Sequence, residues 1–278
     1  METKEQIFHL IETADNFVKY AEAGKEDRAA QRARERYEEA ALLAERAGDS
    51  YMIDQVKLRL ADLERRASLP LTADVADDSP ETVVSELPKH AADRLPPGQH
   101  ITKRWPVLHE GPIPRFDRAS WRFTISGACA REVVLSYDEL RALPTVTMQS
   151  DFHCVTGWTK LENRWTGVKT RPLIEAAEPA PDARFASAAA DYGYTANVPL
   201  DLLLDDDALL AWGHDGKDLA PKHGYPLRLV LPRVYGWKSV KWIRSFELLT
   251  DDRRGFWEVR GYHNRADPWR EERYSYQE

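Results

Sequence analysis

Cysteine is nearly absent from this chain, with only Cys129 and Cys154 among 278 residues. Two thiols cannot build a disulfide framework, and such scarcity fits a reducing compartment, which points to the cytoplasm. No run of eighteen or more apolar residues occurs, so no membrane span is expected. The opening METKEQIF has no basic stretch leading into a long apolar core, so no secretory leader is expected either. Basic residues are not in excess: 39 Lys and Arg stand against 46 Asp and Glu, a net charge of −7. A nucleic-acid partner demands the opposite balance. Close ligand pairs such as H-E-x-x-H or C-x-x-C are missing, which argues against a zinc hydrolase using Cys154 with His153, His109 or His223. Nothing beyond the presence of histidine suggests an activated Cys–His nucleophile.

What is present falls into three textures. Residues 4–66 carry apolar residues at helical spacing: Ile7, Leu10, Ile11, Ala14, Phe17, Val18 and Ala21, then Ala33, Tyr37, Ala40, Ala41 and Ala44. Gly24 and Gly48 break the pattern, and Asp49 or Ser50 can cap a third helix bearing Met52, Ile53, Val56, Leu60 and Leu63. The stretch 36–66 loosely resembles a tetratricopeptide-type helical pair, and residues 1–68 read as a helical module for protein contact or dimerisation. Residues 69–98 read as an acidic, Pro-containing linker. From 99 to 278, short runs such as WRFTISG, REVVLSY, YPLRLVLP and WIRSFELL alternate with Gly and Pro and predict strands. Brief helices are expected at 136–142, 171–177 and 200–204. The fold class is therefore α+β: a β-rich mixed domain preceded by a small α-helical module.

Four segments of the second domain hold polar residues that a core does not need. They are KRWPVLHEGPIPRF (103–116), read as a Pro-stiffened entry strand; DFHCVTGWTKLENRWTGV (151–168); KHGYPLRLVLPRVYGWKSVKWIRSFELL (222–249); and GFWEVRGYHNRADPWREERY (255–274). Cys154 stands just past an apolar stretch, and a thiolate in a turn is a soft ligand for a metal in a cleft. Taken alone, such a residue is also an ordinary small buried hydrophobe. Arg228, Lys238, Lys241 and Arg244 cluster near Gly236, a donor set suited to a buried phosphate.

In order and separation these four segments resemble the molybdopterin domain of the sulfite oxidase family, in its bacterial haem-free branch, over roughly residues 100–278. The resemblance implies a molybdenum–molybdopterin cofactor with Cys154 as the metal's thiolate ligand. It places His223 and Arg228, in HGYPLRL, on the pterin and its phosphate. Lys241, in SVKWI, would be a further phosphate contact, with Lys238 and Ser239 beside it as candidate cofactor contacts. His109, in WPVLH, would line the cofactor, and Tyr262 would be an active-site tyrosine. His153 has three open readings: proton relay, pterin contact or core histidine.

The chain also departs from the pattern. Where the animal and plant enzymes hold their anionic substrate with arginines, alignment of the motifs puts Leu108 at one position and Thr159–Lys160 at another. Lys160, Arg164 and His153 are the candidate substitutes. The resemblance thus implies an oxidoreductase that moves an oxygen atom at a small substrate, either a sulfite-like anion or a sulfoxide or N-oxide. With no C-x-x-C-H motif for haem, a separate electron-transfer protein is the expected partner. The competing reading is a non-catalytic binding module that keeps the fold while its helical segment binds a partner.

Overall fold

Alanine-rich periodicity in the first 67 residues becomes three helices: α1 (Glu2–Lys19), α2 (Glu26–Ala47) and α3 (Ser50–Ala67). They belong to a computed structural model that describes residues 2–19, 26–67 and 93–278, in two units, Met1–Ser79 and Pro80–Glu278. Within the first unit α1 packs on α2, and α2 on α3. Ile7, Ile11, Ala14, Ala33, Ala40, Ala44, Met52 and Val56 are all buried, so the spacing marked the right faces. Asp49 caps α3, its Oδ1 accepting from the Met52 N–H at 3.0 Å. Asp15 lies among the three helices, accepting from the Tyr37 hydroxyl at 2.6 Å and pairing with Arg59 at 3.4 Å. Residues 68–92 lie outside the described residues and take most of the expected linker with them. Its last six residues are seated on the second unit, where Arg94 pairs with Asp151 and Glu162 and Pro96 is buried.

The second unit is built from two sheets. One contains β1 (His100–Ile101), β4 (Val146–His153), β5 (Trp158–Lys169), β8 (Leu209–His214), β9 (Lys217–Asp218) and β10 (Arg228–Val230), in the order β1-β5-β8-β10 with β4 on β5 and β9 on β8. The other runs β3-β2-β11-β6-β7, from β2 (Arg122–Gly127), β3 (Val133–Ser136), β6 (Phe185–Ala190), β7 (Thr195–Pro199) and β11 (Ile243–Leu249). Three short helices connect them: α4 (Tyr137–Ala142), α5 (Thr170–Ala176) and α6 (Leu200–Leu203). Ser136 opens α4 with a capping box to Glu139.

Alternation along the first sheet gives it two buried faces. Leu210 and Leu229 join the main core with Phe123, Ala188 and Phe246 of the second sheet, while Leu209 and Val230 turn to the opposite side. On that opposite side they meet Phe152, Cys154, Trp158 and Trp165. Arg228, two residues before Val230, shares this side of β10. Residues 103–116, expected as a strand, form no strand; Pro106, Pro112 and Pro114 each remove a ladder donor. The segment instead lays Trp105 and Leu108 over the Cys154 side of the sheet.

Candidate active site

Cys154 occupies the turn between β4 and β5. The turn is closed by two backbone bonds, from Cys154 N–H to the Trp158 carbonyl (2.9 Å) and from Gly157 N–H to the Cys154 carbonyl (3.0 Å). Gly157 has φ +95°, a conformation open to glycine but strained for other residues. Cys154 Sγ lies 3.1 Å from Thr156 Oγ1, and the residue is 9% exposed.

Facing this cluster are two cations, Arg228, which is buried, and Lys241, which is half-buried. Arg228 and Lys241 stand opposite each other on an isolated antiparallel bridge. The Arg228 guanidinium lies 5.0–5.9 Å from the rings of Phe152, Trp105 and Trp165. Its Nη1 donates to the His223 carbonyl at 3.0 Å, while its buried Nε has no partner. Loss of solvation pushes its pKa down to about 9, an effect opposed by Tyr194 and Cys154. Lys241 donates to the carbonyls of Leu108 (2.8 Å) and Lys222 (2.9 Å). Burial, and then Arg228, hold its pKa well below the usual lysine value. Neither cation forms an ion pair with a carboxylate among the described residues.

The histidines divide into two groups. His223 stacks face to face on Trp105 at 3.9 Å, and its buried Nδ1 has no partner. Burial, and then Lys241 and Arg228, lower its pKa to about 3. His109 sits edge-on to Trp242 at 5.1 Å, with Nδ1 2.9 Å from the Gly111 carbonyl. Both therefore lie with the Lys241 group. His153 does not: its ring points to the other side of β4, Nδ1 against Thr159 Oγ1 at 2.9 Å, and Trp269 lies 6.3 Å away. Burial lowers its pKa to about 4.

The structure also sets Lys238 and Ser239 apart from the phosphate-type cations. Lys238 is fully buried and spends its donors on Asn197 O (2.7 Å), Asn197 Oδ1 (2.5 Å) and Glu258 (2.7 Å). Ser239 Oγ accepts from the Leu231 N–H at 3.0 Å, bracing the chain beside β10. Tyr262 is 6% exposed, its ring edged by Trp237 (4.9 Å) and Trp257 (5.2 Å). Trp237 is anchored by Glu258 through Nε1 (2.7 Å), and its carbonyl accepts from the Tyr194 hydroxyl (2.8 Å). Tyr194, which feels Arg228 and Tyr262 and whose pKa is raised chiefly by burial, carried no sequence signal. Neither did Trp105, nor the depression of about 280 Å³ that it lines with His214, Asp215, Lys217 and His223.

Residues 110–257 match the family model described as an oxidoreductase molybdopterin binding domain. The chain belongs to that family. An oxidoreductase named YuiH from Bacillus subtilis (strain 168), named as uncharacterized, is 40% identical over 184 residues, covering 66% of this chain and 93% of its own length. The catalytic subunit MsrP of a Campylobacter jejuni protein-methionine-sulfoxide reductase is 30% identical over 160 residues, covering 51% of this chain and 54% of its own. A crystal structure of the sulfane dehydrogenase SoxCD from Paracoccus pantotrophus superposes with a TM-score of 0.49 at 18% identity, covering 67% of this chain and 59% of that one. The protein is thus an oxidoreductase with a molybdenum–molybdopterin cofactor. Its residues suit that group: two desolvated cations with no carboxylate, one with an unpartnered Nε–H, call for a buried anion such as a phosphate. The unpartnered His223 Nδ1 adds a further polar atom beside them.

Proposed function

We propose that Cys154 supplies the metal's protein thiolate, that Arg228, Lys241 and His223 hold the pterin and its phosphate, and that His109 lines the cofactor. The pair of buried Arg228 and half-buried Lys241 carries this reading, since it shares one face of the sheet with Cys154 and has no carboxylate partner among the described residues. Bound there, molybdenum and pterin supply a two-electron centre for oxygen-atom transfer to or from a small substrate. The positive field of Arg228 and Lys241 also favours the Cys154 thiolate over the thiol.

We assign the substrate to the sulfoxide or N-oxide class rather than to sulfite. Leu108 is apolar, Thr159 is fully buried against His153 and Gln99, and Lys160 is engaged by Asp215 at 3.8 Å. Neither position that holds an arginine in the animal and plant enzymes thus offers a free cation to a sulfite anion, and burial lowers the pKa of His153 to about 4. The name of the Campylobacter jejuni relative points the same way. Reduction of a sulfoxide consumes two electrons and two protons and releases a sulfide and water. In this reading Tyr262, its ring fixed by Trp237 and Trp257, hydrogen-bonds the substrate oxygen and passes it a proton. The electrons come from a separate carrier protein, and the rarity of cysteine supports a cytoplasmic setting. Among the described residues no helix is long and apolar enough to cross a membrane.

The test is metal and pterin analysis of wild type beside Cys154→Ser, both purified from a host that makes the cofactor. About one molybdenum and one pterin per chain, with the metal lost or its spectrum altered in the variant, is expected. Unaltered metal and spectrum in Cys154→Ser would refute the thiolate assignment.

A further inference from the structure

The Cys154 turn is gripped from both ends of the second unit. Gln99, 55 residues before it, donates Nε2 to the Cys154 carbonyl at 3.0 Å. Arg273, 118 residues after Val155, donates Nη1 to the Val155 carbonyl at 2.7 Å. Two consecutive carbonyls of the turn are thus taken by side chains from remote segments. Gln99 is itself buried, its Oε1 accepting from Thr159 Oγ1 at 3.2 Å. Arg273 is held over the Tyr235 ring at 5.6 Å, and its backbone N–H donates to Gln277 Oε1 at 2.9 Å. Next to Gln99, Gly98 has φ +67° and packs closely on the second grip: a Cβ there would come 3.2 Å from Arg273 Nη2 and from Glu271 Oε1. Gln99 and Arg273 both fall outside the 110–257 stretch matched by the family model.

A turn between strands has few ladder bonds to hold its peptide planes, and the direction of a cysteine's Cα–Cβ bond follows those planes. A metal ligand must be held to within about 0.5 Å, a task that falls to side chains bonding the segment that presents it. The bond from Arg273 is charge-assisted, the stronger kind. We propose that Arg273 and Gln99 are positioning residues that lock the Cys154 turn in the orientation from which Sγ binds the metal. This rests on the assignment of Cys154 as the ligand.

The experiment uses full-length protein carrying Cys129→Ser, so that Cys154 is the sole thiol, with Arg273→Gln, Arg273→Lys, Gln99→Leu and Cys154→Ser added singly. In cofactor-free protein, the rate of Cys154 alkylation by iodoacetamide is measured at one pH. In cofactor-loaded protein, pterin content, molybdenum content and the sulfur-to-metal absorption band are recorded. Arg273→Gln and Gln99→Leu are expected to alkylate about tenfold faster, as loss of one buried hydrogen bond implies. They should also show a shifted or weakened band at wild-type pterin content. Arg273→Lys keeps a cationic donor and should stay within about threefold of wild type. Wild-type alkylation and an unchanged band in Gln99→Leu and Arg273→Gln, with the band abolished in Cys154→Ser, would overturn the clamp while leaving the ligand assignment standing. An unchanged band and metal content in Cys154→Ser would overturn both. If Arg273→Gln fails to fold, Gln99→Leu decides by the same criteria.

Discussion

Two lysines three positions apart in the run KSVK have opposite assignments, and the reason is where their charges find partners. Lys238 is matched by Glu258 and Asn197, so it holds the fold together. Lys238→Met would strand a buried carboxylate and should cost about 3–5 kcal/mol, readable as a lower denaturant midpoint, whereas Lys238→Met with Glu258→Gln should recover much of it. Among the described residues Lys241 and Arg228 have no carboxylate partner, so their desolvation counts against the cofactor-free fold. Arg228→Met should therefore raise the melting temperature of the cofactor-free protein, by roughly 1–3 kcal/mol of stability. The same variant should lower bound pterin about tenfold or more. Equal loss of both properties would mean that Arg228 is structural. Sequence spacing put both lysines in one phosphate cluster because charge type is visible there and side-chain direction is not.

At the scale of elements, the site depends on strands packed more closely than their composition suggests. Gly167 in β5 lies against β8 so tightly that a Cβ would fall 2.1 Å from the Leu210 carbonyl oxygen. Gly167→Ala should then separate the strands that carry the Cys154 turn, at a cost on the order of 3 kcal/mol or more by chemical denaturation. Retention of wild-type stability would show that the ladder can shift. The short helices were legible because their signals are local, as with Ser136 and Glu139 forming the capping box of α4. By contrast β5 was hidden. Thr159 and Asn163 are polar yet fully buried, and Asn163 satisfies its amide on the carbonyls of Lys160 and Ser150. A buried polar residue with partners from another strand breaks the two-residue alternation on which strand reading relies.

At the scale of the whole chain, histidines held neutral by burial set the response to acid, among them His153, His214 and His223. Burial lowers His153 and His214 to about 4 and His223 to about 3, so each is neutral in the fold and protonated in the unfolded chain below about pH 6.5. The unfolded state then binds more protons, so stability is full above pH 6.5 and is lost as pH falls toward 4. At roughly 1–3 kcal/mol each, and about 2–4 °C of melting temperature per kcal/mol, a scan from pH 7 to 4.5 should show a steep decline. A flat profile would mean that the histidines stay solvated. Removal of residues 1–70 should leave molybdenum content unchanged and alter only oligomeric state or partner binding; loss of metal would refute the separation of the two modules. The sequence alone determined the helical and β-rich textures, because these rest on periodicity within single segments, and the family resemblance with the motifs bearing Cys154, Arg228, Lys241 and Tyr262, because residue identity and the order of motifs along the chain need no fold to be read. Only the tertiary structure decided that Lys238 and His153 turn away from the Arg228 side, that Trp105 stacks on His223 beside Arg228, and that Gln99 and Arg273 meet at the Cys154 turn. Those outcomes depend on which face a side chain takes and on contacts between segments 55 and 118 residues apart, and no local pattern encodes either.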